Sequence, residues 1–461
     1  MAVKKTKVDP AKTLAAHVID TGIKEVPEAS LDATRRDVLD TFGSMLGGSG
    51  APGINELVSV NGRWGGLEES SLAVIGGKMP AHHAAMINSA MGHALDFDDT
   101  YDKGGHVHPG TSVLAASLAI AESVGGVSGE QLMLAATLGL DVSCRLGLAA
   151  HDDRGWHRTA SFGIFGATAA AGKLIGLNQG QMVHAFGIAY SQAAGNRQCI
   201  VDGALTKRFQ AGQSAHGAVL SAFLAKEGFT GAENVFAGRY GFFPMYQPDG
   251  YDLSIIDKDL GKEFLGDRIS FKPYPCVRPS HAFIDAAVKL HHELELGKNE
   301  IESIIVRMDP ETLDSRYNLS VGIARPSHQV EAQFSVRYLI GCALALGGVG
   351  IDEINVFTNP EVLAASELVT AESRQGVAKG WAEIEVVCVG GKTASAELES
   401  PFGSPDNPLS IDQLKDKFRD CAAHAAHPTP KAMVEKMITM ILSPDALTDS
   451  ADLIKLSLVS K

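Results

Sequence analysis

Apolar and polar positions divide the chain into two textures. From about residue 12 to 230 the pattern is helical. "SVLAASLAIAESVGG" (112–126) and "EQLMLAATLGLDVSCRLGLAA" (130–150) are apolar nearly all round, which predicts helices with neighbours on every side. Gly125-Gly126 breaks the run between them. "GIFGATAAAGKLIGL" (163–177) and "GAVLSAFLAKEGF" (217–229) continue the theme, with small residues that let helix backbones approach closely. No fixed-period repeat points to a solenoid. Near residue 268 the texture changes. "IESIIVRMDP" (301–310) and "WAEIEVVCVGGKTASAELESP" (381–401) alternate with period two and are rich in β-branched residues, with Gly390-Gly391 as a hairpin turn. "QVEAQFSVRYLIGCALALGG" (329–348) is helical again, as are 410–426 and 431–441, and "FGSPDNPL" (402–409) reads as a return linker. The expected fold is mainly α. A large all-helical domain (1–267 and 405–461) carries a smaller inserted α+β lid domain (268–404).

Composition narrows the function. The 461 residues exceed one compact core. A hydrophobic share of 45% and a charged share of 20% fit an ordinary globular protein. The formal net charge of −14 argues against nucleic acid or an anionic membrane as partner. An anionic substrate would then need positive charge gathered locally. The six cysteines are scattered without a C-x-x-C pair, as expected of reduced thiols in a cytoplasmic protein, and they exclude a structural zinc ribbon. "MAVKKTKVDPAKT" has basic residues but no apolar run behind them, so neither a secretory signal nor a membrane anchor is expected there. No stretch approaches the ~20 uninterrupted apolar residues of a membrane span.

The chemistry concentrates in "ALDFDDTYDKGGHVHPGTS" (94–112), with four aspartates and two histidines in nineteen positions. Asp96, Asp98 and Thr100 fit the D-x-D-x-T of phosphoaspartate-forming phosphatases. That motif must follow a buried strand, and "AAMINSAMGHAL" reads as helix. Asp98, Asp99 and Asp102 fit the D-D-x-x-D magnesium clamp of terpenoid synthases, but an aromatic share of 6% is too low for a carbocation cavity. The third reading needs no metal and uses an Asp and a His as base and acid. Asp98, Asp99 and Asp102 are read as solvated or structural, with Asp102 in an exposed, mobile segment. Asp96 differs because it follows an apolar helix end and shares its loop with His108.

A second pattern supports that reading. His108 precedes "PGTSVLAASLA", with Thr111 and Ser112 as possible N-caps. His157 stands in "GWHRTASFGIFGATAAA", with Thr159 and Ser161 similarly placed. Lys207 stands in "ALTKRFQAGQSAHGAVLSAFLA", just ahead of another expected helix. Helix starts attract anions, and a cationic or donating side chain beside them strengthens the effect. Three such starts could converge on one polycarboxylate. At the junction, "ISFKPYPCVRPSHAFIDAA" sets Lys272 between Phe271 and Pro273 and places His281 ahead of a helix, as a further substrate-binding candidate.

"HALDFDDTY…HVHPGTSVLAASLAIAE", "GWHRTASFGIFGATAAAGKLIGLNQGQ", "TKRFQAGQSAHGAVLSAFLAKEGFTG" and "FKPYPCVRPSHAFIDA" follow in this order over a chain that, from about residue 10 to 450, resembles the MmgE/PrpD family. That family includes 2-methylcitrate dehydratase, cis-aconitate decarboxylase and iminodisuccinate epimerase. The resemblance implies a helical domain, an α+β lid and a cleft between them, in a homodimer without metal or organic cofactor. It places Asp96, Thr100, His108, His157, Lys207 and Lys272 in the pocket. His157 and His108 are then the candidate base and acid, and Asp96 orients a histidine. Thr100 binds substrate, while Lys207 and Lys272 stabilise an aci-carboxylate-like intermediate. Two departures stand out. Arg158 replaces a small residue after His157, and "SVGIARP" lacks the tyrosine that the decarboxylase carries shortly before its Arg-Pro pair. The expected activity is dehydration of a hydroxylated di- or tricarboxylate resembling 2-methylcitrate. The alternatives are an epimerase of an iminodisuccinate-like substrate, a cis-aconitate-type decarboxylase, or a catalytically silent carboxylate-binding protein.

Overall fold

The computed structural model describes residues 8–104, 106–296, 300–313, 323–378 and 380–458. The chain is mainly α. The first part holds α1 (Pro10–Asp20), α2 (Glu28–Gly47), α3 (Ile54–Trp64), α4 (Ala81–Gly92), α5 (Pro109–Val124) and α6 (Gly129–Ala149). It continues through α7 (Arg158–Leu174), α8 (Gln179–Tyr190), α9 (Gln198–Val201), α10 (Thr206–Lys226), α11 (Phe242–Tyr246) and α12 (Ser254–Asp257). A two-stranded ribbon, β1 (Ser70–Ser71) with β2 (Lys78–Met79), lies between α3 and α4. The middle of the chain supplies α13 (His281–Glu293), β3 (Ile301–Met308), α14 (Pro310–Leu313), α15 (Gln329–Gln333), α16 (Val336–Leu346) and α17 (Pro360–Leu368). Strands β4 (Val369–Ser373), β5 (Ala382–Cys388) and β6 (Thr393–Leu398) follow. The end of the chain forms α18 (Ile411–Ala423), α19 (Lys431–Leu442) and α20 (Ala451–Ser457).

Among the described residues two large hydrophobic cores form, beside a small cluster of Leu95, Phe97, Ile351 and Cys421. The larger joins α1–α8 and α10 with the returning α18–α20, through residues such as Phe42, Leu118, Phe165 and Phe418. Close approach of backbones makes this body dense: a Cβ on Gly139 of α6 would lie 2.7 Å from the Gly166 carbonyl oxygen of α7. The smaller core packs α13, α16 and α17 against one face of a four-stranded sheet of order β4-β3-β5-β6. Its strands are antiparallel except β3–β4, which are parallel. Period-two alternation explains the sheet, because Ile304, Val306 and Met308 point inward from β3 and Ala382, Ile384 and Val386 from β5. Gly390 and Gly391 take positive φ at the hairpin.

The chain crosses between the two cores near 270–273 and returns near 402–404. There Phe271 N donates to Gly403 O at 2.9 Å, and Thr100 and Ser270 exchange both backbone hydrogen bonds.

Several local expectations change. α10 begins at Thr206, so Lys207 lies in its first turn rather than ahead of it. The N-caps of α5 and α7 are His108 and His157 themselves, and neither makes a side-chain cap. Thr111 Oγ1 donates instead to Ser89 O, and Thr159 Oγ1 accepts from His108 N. The helical stretch 329–348 breaks at Phe334 because Ser335 caps α16 through Tyr338 N. One helix, Gly129–Ala149, is after all long and apolar enough to cross a membrane. It lies inside the body, with 94% of its most apolar window buried. Its Asp141 and Arg145 pair at 2.8 Å.

Candidate active site

The end of α4 and the loop to α5 build the centre. His93 caps the C-terminus of α4, and Asp96 follows with a left-handed backbone (φ 51) that a non-glycine residue adopts only under constraint. That turn aims the whole residue at two ammonium groups. Lys207 Nζ donates to Asp96 Oδ1 at 2.7 Å, and Lys272 Nζ donates to Asp96 O at 2.8 Å. Lys272 Nζ also lies 3.2 Å from Oδ2, an electrostatic contact without hydrogen-bond alignment. Burial works to raise the Asp96 carboxyl, but Lys207 and Lys272 outweigh it and hold it well below the usual carboxylate range.

His93 is the hub. Its Nδ1 lies 2.6 Å from Asp98 Oδ2 and its Nε2 2.7 Å from Lys207 Nζ. An ammonium group only donates, so Nε2 accepts and Nδ1–H donates to Asp98. The ring is therefore neutral, in keeping with burial and Lys207 pushing it well below the usual imidazole range. The His108 ring meets it edge-on at 5.0 Å between centroids, and His157 stacks on it at 5.4 Å.

The flanking histidines have assignable tautomers. His108 Nδ1 lies 2.6 Å from Asp99 O, which can only accept, so Nδ1 carries the hydrogen. His157 Nδ1 lies 2.8 Å from Gln210 Oε1, and Gln210 Nε2 is fixed by donating to Asn196 O at 3.0 Å. Both rings thus keep an Nε2 lone pair while neutral. Burial pushes both well below the usual range.

The sequence-derived set divides. Asp96, His108, His157, Lys207 and Lys272 are brought together around His93. Thr100 is buried and joins through its backbone pairing with Ser270. His281 spends both ring nitrogens outside this cluster: Nδ1 faces Arg278 Nη1 at 3.1 Å and Nε2 donates to Cys276 O at 3.2 Å, while Lys272 and Asp96 act on it only through charge. Asp96 does not orient a histidine as expected. Asp98 takes that place, fully buried beside His93 and 3.7 Å from His108 Nδ1, its carboxyl raised by burial against the pull of His108 and Lys272.

The other aspartates are pulled apart. Asp99 accepts from Gly110 N at 3.1 Å, and burial and repulsion by Asp37 raise its carboxyl well above the ordinary range. Asp102, expected to be exposed, accepts from Ser270 Oγ at 2.6 Å and Arg278 Nε at 3.0 Å. Three carboxylates with three separate sets of partners cannot close on one magnesium ion. Nor does Asp96 follow a strand, as the phosphatase pattern requires.

Other supports carry no sequence signature of their own. Lys417 of α18 donates to Asp40 Oδ1 (2.6 Å), Phe97 O (2.6 Å) and Lys272 O (2.9 Å), tying both site loops to the returning helix. From the smaller core, Gln333 Nε2 donates to Ala94 O at 3.2 Å and the Phe334 ring lies 5.5 Å from Lys207 Nζ. Segment 314–322, which holds most of the stretch before Arg325-Pro326, lies outside the described residues.

His93, Asp98 and His108 have the spacing of a metal-ligand group, with ligand atoms within 4.8 Å of one another. The environment does not fit one: His93 already spends both nitrogens on Asp98 and Lys207, and two ammonium groups adjoin. What the arrangement can do is accept a proton at either of two imidazole faces, beside cations suited to a carboxylate.

Comparison with known proteins places the chain by sequence. The family model of the MmgE/PrpD N-terminal domain matches residues 12–253 and that of the MmgE/PrpD C-terminal domain residues 274–441. Cis-aconitate decarboxylase from Aspergillus terreus is 26% identical over 458 residues, covering 94% of this chain and 92% of its own. The cis-aconitate decarboxylases of Mus musculus and Homo sapiens are each 26% identical, covering 94% of this chain and 90% and 91% of theirs.

Proposed function

The chain belongs to the MmgE/PrpD family, and from that premise we propose that it is a lyase of a di- or tricarboxylate. Its side chains move a proton at a carbon beside a carboxylate, without a cofactor. The observation that carries the reading is the pair of neutral imidazoles, His108 and His157, each with Nδ1 tied down and Nε2 left to accept. Taking a proton from such a carbon adds charge to an already anionic group. Lys207, Lys272 and the N-terminus of α7, which has no side-chain cap, would meet that charge.

Dehydration of a hydroxylated substrate resembling 2-methylcitrate uses this state directly. One Nε2 takes the carbon-bound proton, the electron pair closes the double bond, and the C–O bond breaks. A neighbouring acid protonates the departing hydroxyl, which leaves as water. Decarboxylation is the second reading, favoured by the names of the relatives at 26% identity. It starts from loss of CO2 and needs a proton donor at carbon. A bound polyanion would supply one by raising the imidazole pKa.

The test is incubation of purified protein in D2O with citrate, 2-methylcitrate, cis-aconitate and iminodisuccinate, followed by NMR. An olefin formed from 2-methylcitrate is the expected result. CO2 loss from cis-aconitate moves the assignment to the second reading, and deuterium entering iminodisuccinate alone moves it to an epimerase. No exchange or turnover with any of the four leaves only a carboxylate-binding protein.

A further inference from the structure

Three histidines outside the candidate site meet where the start of α4 lies against the middle of α10. α4 and α10 are in close contact: a Cβ on Gly212 would come within 2.5 Å of the Met86 carbonyl oxygen. One turn further along each, in opposite directions, His216 of α10 faces His82 and His83 of α4. Ring centroids are 4.2 Å apart for His82–His83, 4.8 Å for His82–His216 and 5.8 Å for His83–His216. One ligand nitrogen from each ring lies within 4.8 Å of the other two. We infer that His82, His83 and His216 form a binding site for a late first-row divalent metal ion, zinc above all, which clamps α4 to α10.

Three observations support the site. First, Nδ1 of His83 and Nδ1 of His216 are buried and lack a hydrogen-bond partner. Buried polar atoms are rarely left so, and a metal satisfies an imidazole lone pair as a donor would. Second, the rings are ready to ligate. Burial and the neighbouring imidazoles hold His82 and His216 below the ordinary range, His216 at about 4, and burial alone lowers His83. Protons therefore do not compete at neutral pH. Third, the donor set is chemically apt, since imidazole suits zinc, copper and nickel. Zn–N bonds of about 2.0–2.1 Å put two nitrogens of a tetrahedral site roughly 3.3 Å apart. Small side-chain rotations of these half-buried rings close that gap and leave a fourth position for water. Glu69, whose carboxylate accepts from Ala81 N at 2.9 Å, adds negative charge near His82.

The position gives the ion a structural rather than a chemical task. His82 precedes His93 by eleven residues, and His216 follows Lys207 by nine. At 1.5 Å per residue the clamp lies roughly 14 to 16 Å from the His93–Lys207 contact. The same helix pair is thus pinned at two levels, by the 2.7 Å contact of Lys207 with His93 at the end of α4 and by the metal at its start.

The test uses untagged full-length protein, stripped with chelator and titrated with Zn2+, with Co2+ as a spectroscopic substitute. One ion per chain is expected, with visible Co2+ absorption of tetrahedral type and a melting temperature that rises with Zn2+. His216→Gln and His82→Gln should each weaken binding by at least ~10-fold and abolish the Co2+ signal. His83→Gln replaces either variant should circular dichroism show it misfolded. His108→Asn should bind as the native protein does. Unaltered affinity in the His216 and His82 variants overturns the site, as does absence of any binding. Loss of binding in His108→Asn alone would place the ion at His93, Asp98 and His108 instead.

Discussion

Asp96 separates charge balance from proton transfer. Among the described residues it is the carboxylate paired with both Lys207 and Lys272. Asp96→Asn frees two positive charges while removing the anchor that aims them. Turnover should fall at least ~100-fold, the scale of losing a positioned charge that stabilises the transition state. KM for an anionic substrate should stay level or drop, because the pocket becomes more positive. Steady-state kinetics with circular dichroism would read the split, and a raised KM at native kcat would show that Asp96 only shapes the pocket. Asp102→Asn is a different matter now that Asp102 is tied to Ser270 and Arg278. It should lower the melting temperature and leave kcat within a few-fold of native. The histidines set the pH behaviour. Burial lowers the pKa of His93, His108 and His157, so across the window below the unfolded value of about 6.5 the unfolded chain binds more protons than the folded one. The stability these histidines contribute should therefore decline as pH falls from 7 toward 5. Asp37, Asp40, Asp98 and Asp99 offset part of that loss, since their carboxyls are raised in the folded state and take up protons there. The acid limb of kcat/KM should lie below pH 6.5; a limb near that value would mean that the free enzyme holds its base in water, and one above it that a carboxylate stabilises the imidazolium.

At the scale of elements, the helices were legible because apolar residues encircle α5, α6 and α7, and the sheet because β3 and β5 alternate. The positions of His108 and His157 at helix starts were legible too, since Pro109 marks the first and Thr159 and Ser161, ahead of an apolar run, mark the second. What sequence could not supply was which carboxylate meets which cation. Asp96 and Asp98 are two residues apart, and the apolar helix end that singles out Asp96 does not say which partner either carboxylate meets. The left-handed turn at Asp96 sends one to the lysines and leaves the other for His93, a choice made by tertiary contacts. His93 carries no signal of its own, because in sequence it reads as the polar end of α4. Lys417 was hidden for a further reason: it lies 320 residues from Phe97 in "DQLKDKFRD", where it resembles any surface lysine of an amphipathic helix. Its burial makes it testable. Lys417→Met strands the Asp40 carboxylate and two carbonyl oxygens, and removal of one partner from a buried pair costs about 3–5 kcal/mol. The protein should melt markedly lower. Adding Asp40→Leu should recover part of the loss, since Asp40 is already raised to about 6 by burial despite its lysine. A double variant no better than the single one would show that the two carbonyls, not the ion pair, dominate.

The whole molecule depends on how the chain leaves the helical body and comes back. Outgoing and returning segments hydrogen-bond to each other, Phe271 N to Gly403 O, immediately before Lys272. Gly403 has φ +83, and a Cβ there would lie 1.9 Å from the Phe271 carbonyl oxygen. An added methyl must therefore push the segment that delivers Lys272 to Asp96. Gly391, at the β5–β6 hairpin, has φ +88 but nothing within 4 Å of an added methyl, so substitution there carries only the backbone penalty. For an L-residue in left-handed backbone that penalty is about 1–2 kcal/mol. Gly391→Ala should thus lower stability modestly and leave kcat/KM unchanged. Gly403→Ala should lose more stability and, beyond that, reduce kcat/KM at temperatures where it remains fully folded, because Lys272 is displaced from Asp96. The comparison isolates position from conformation, since both glycines share the same backbone region. Melting curves and kinetics on the two variants would decide it: equal kcat/KM in both would mean that the crossing holds the cores together without setting the geometry of the site.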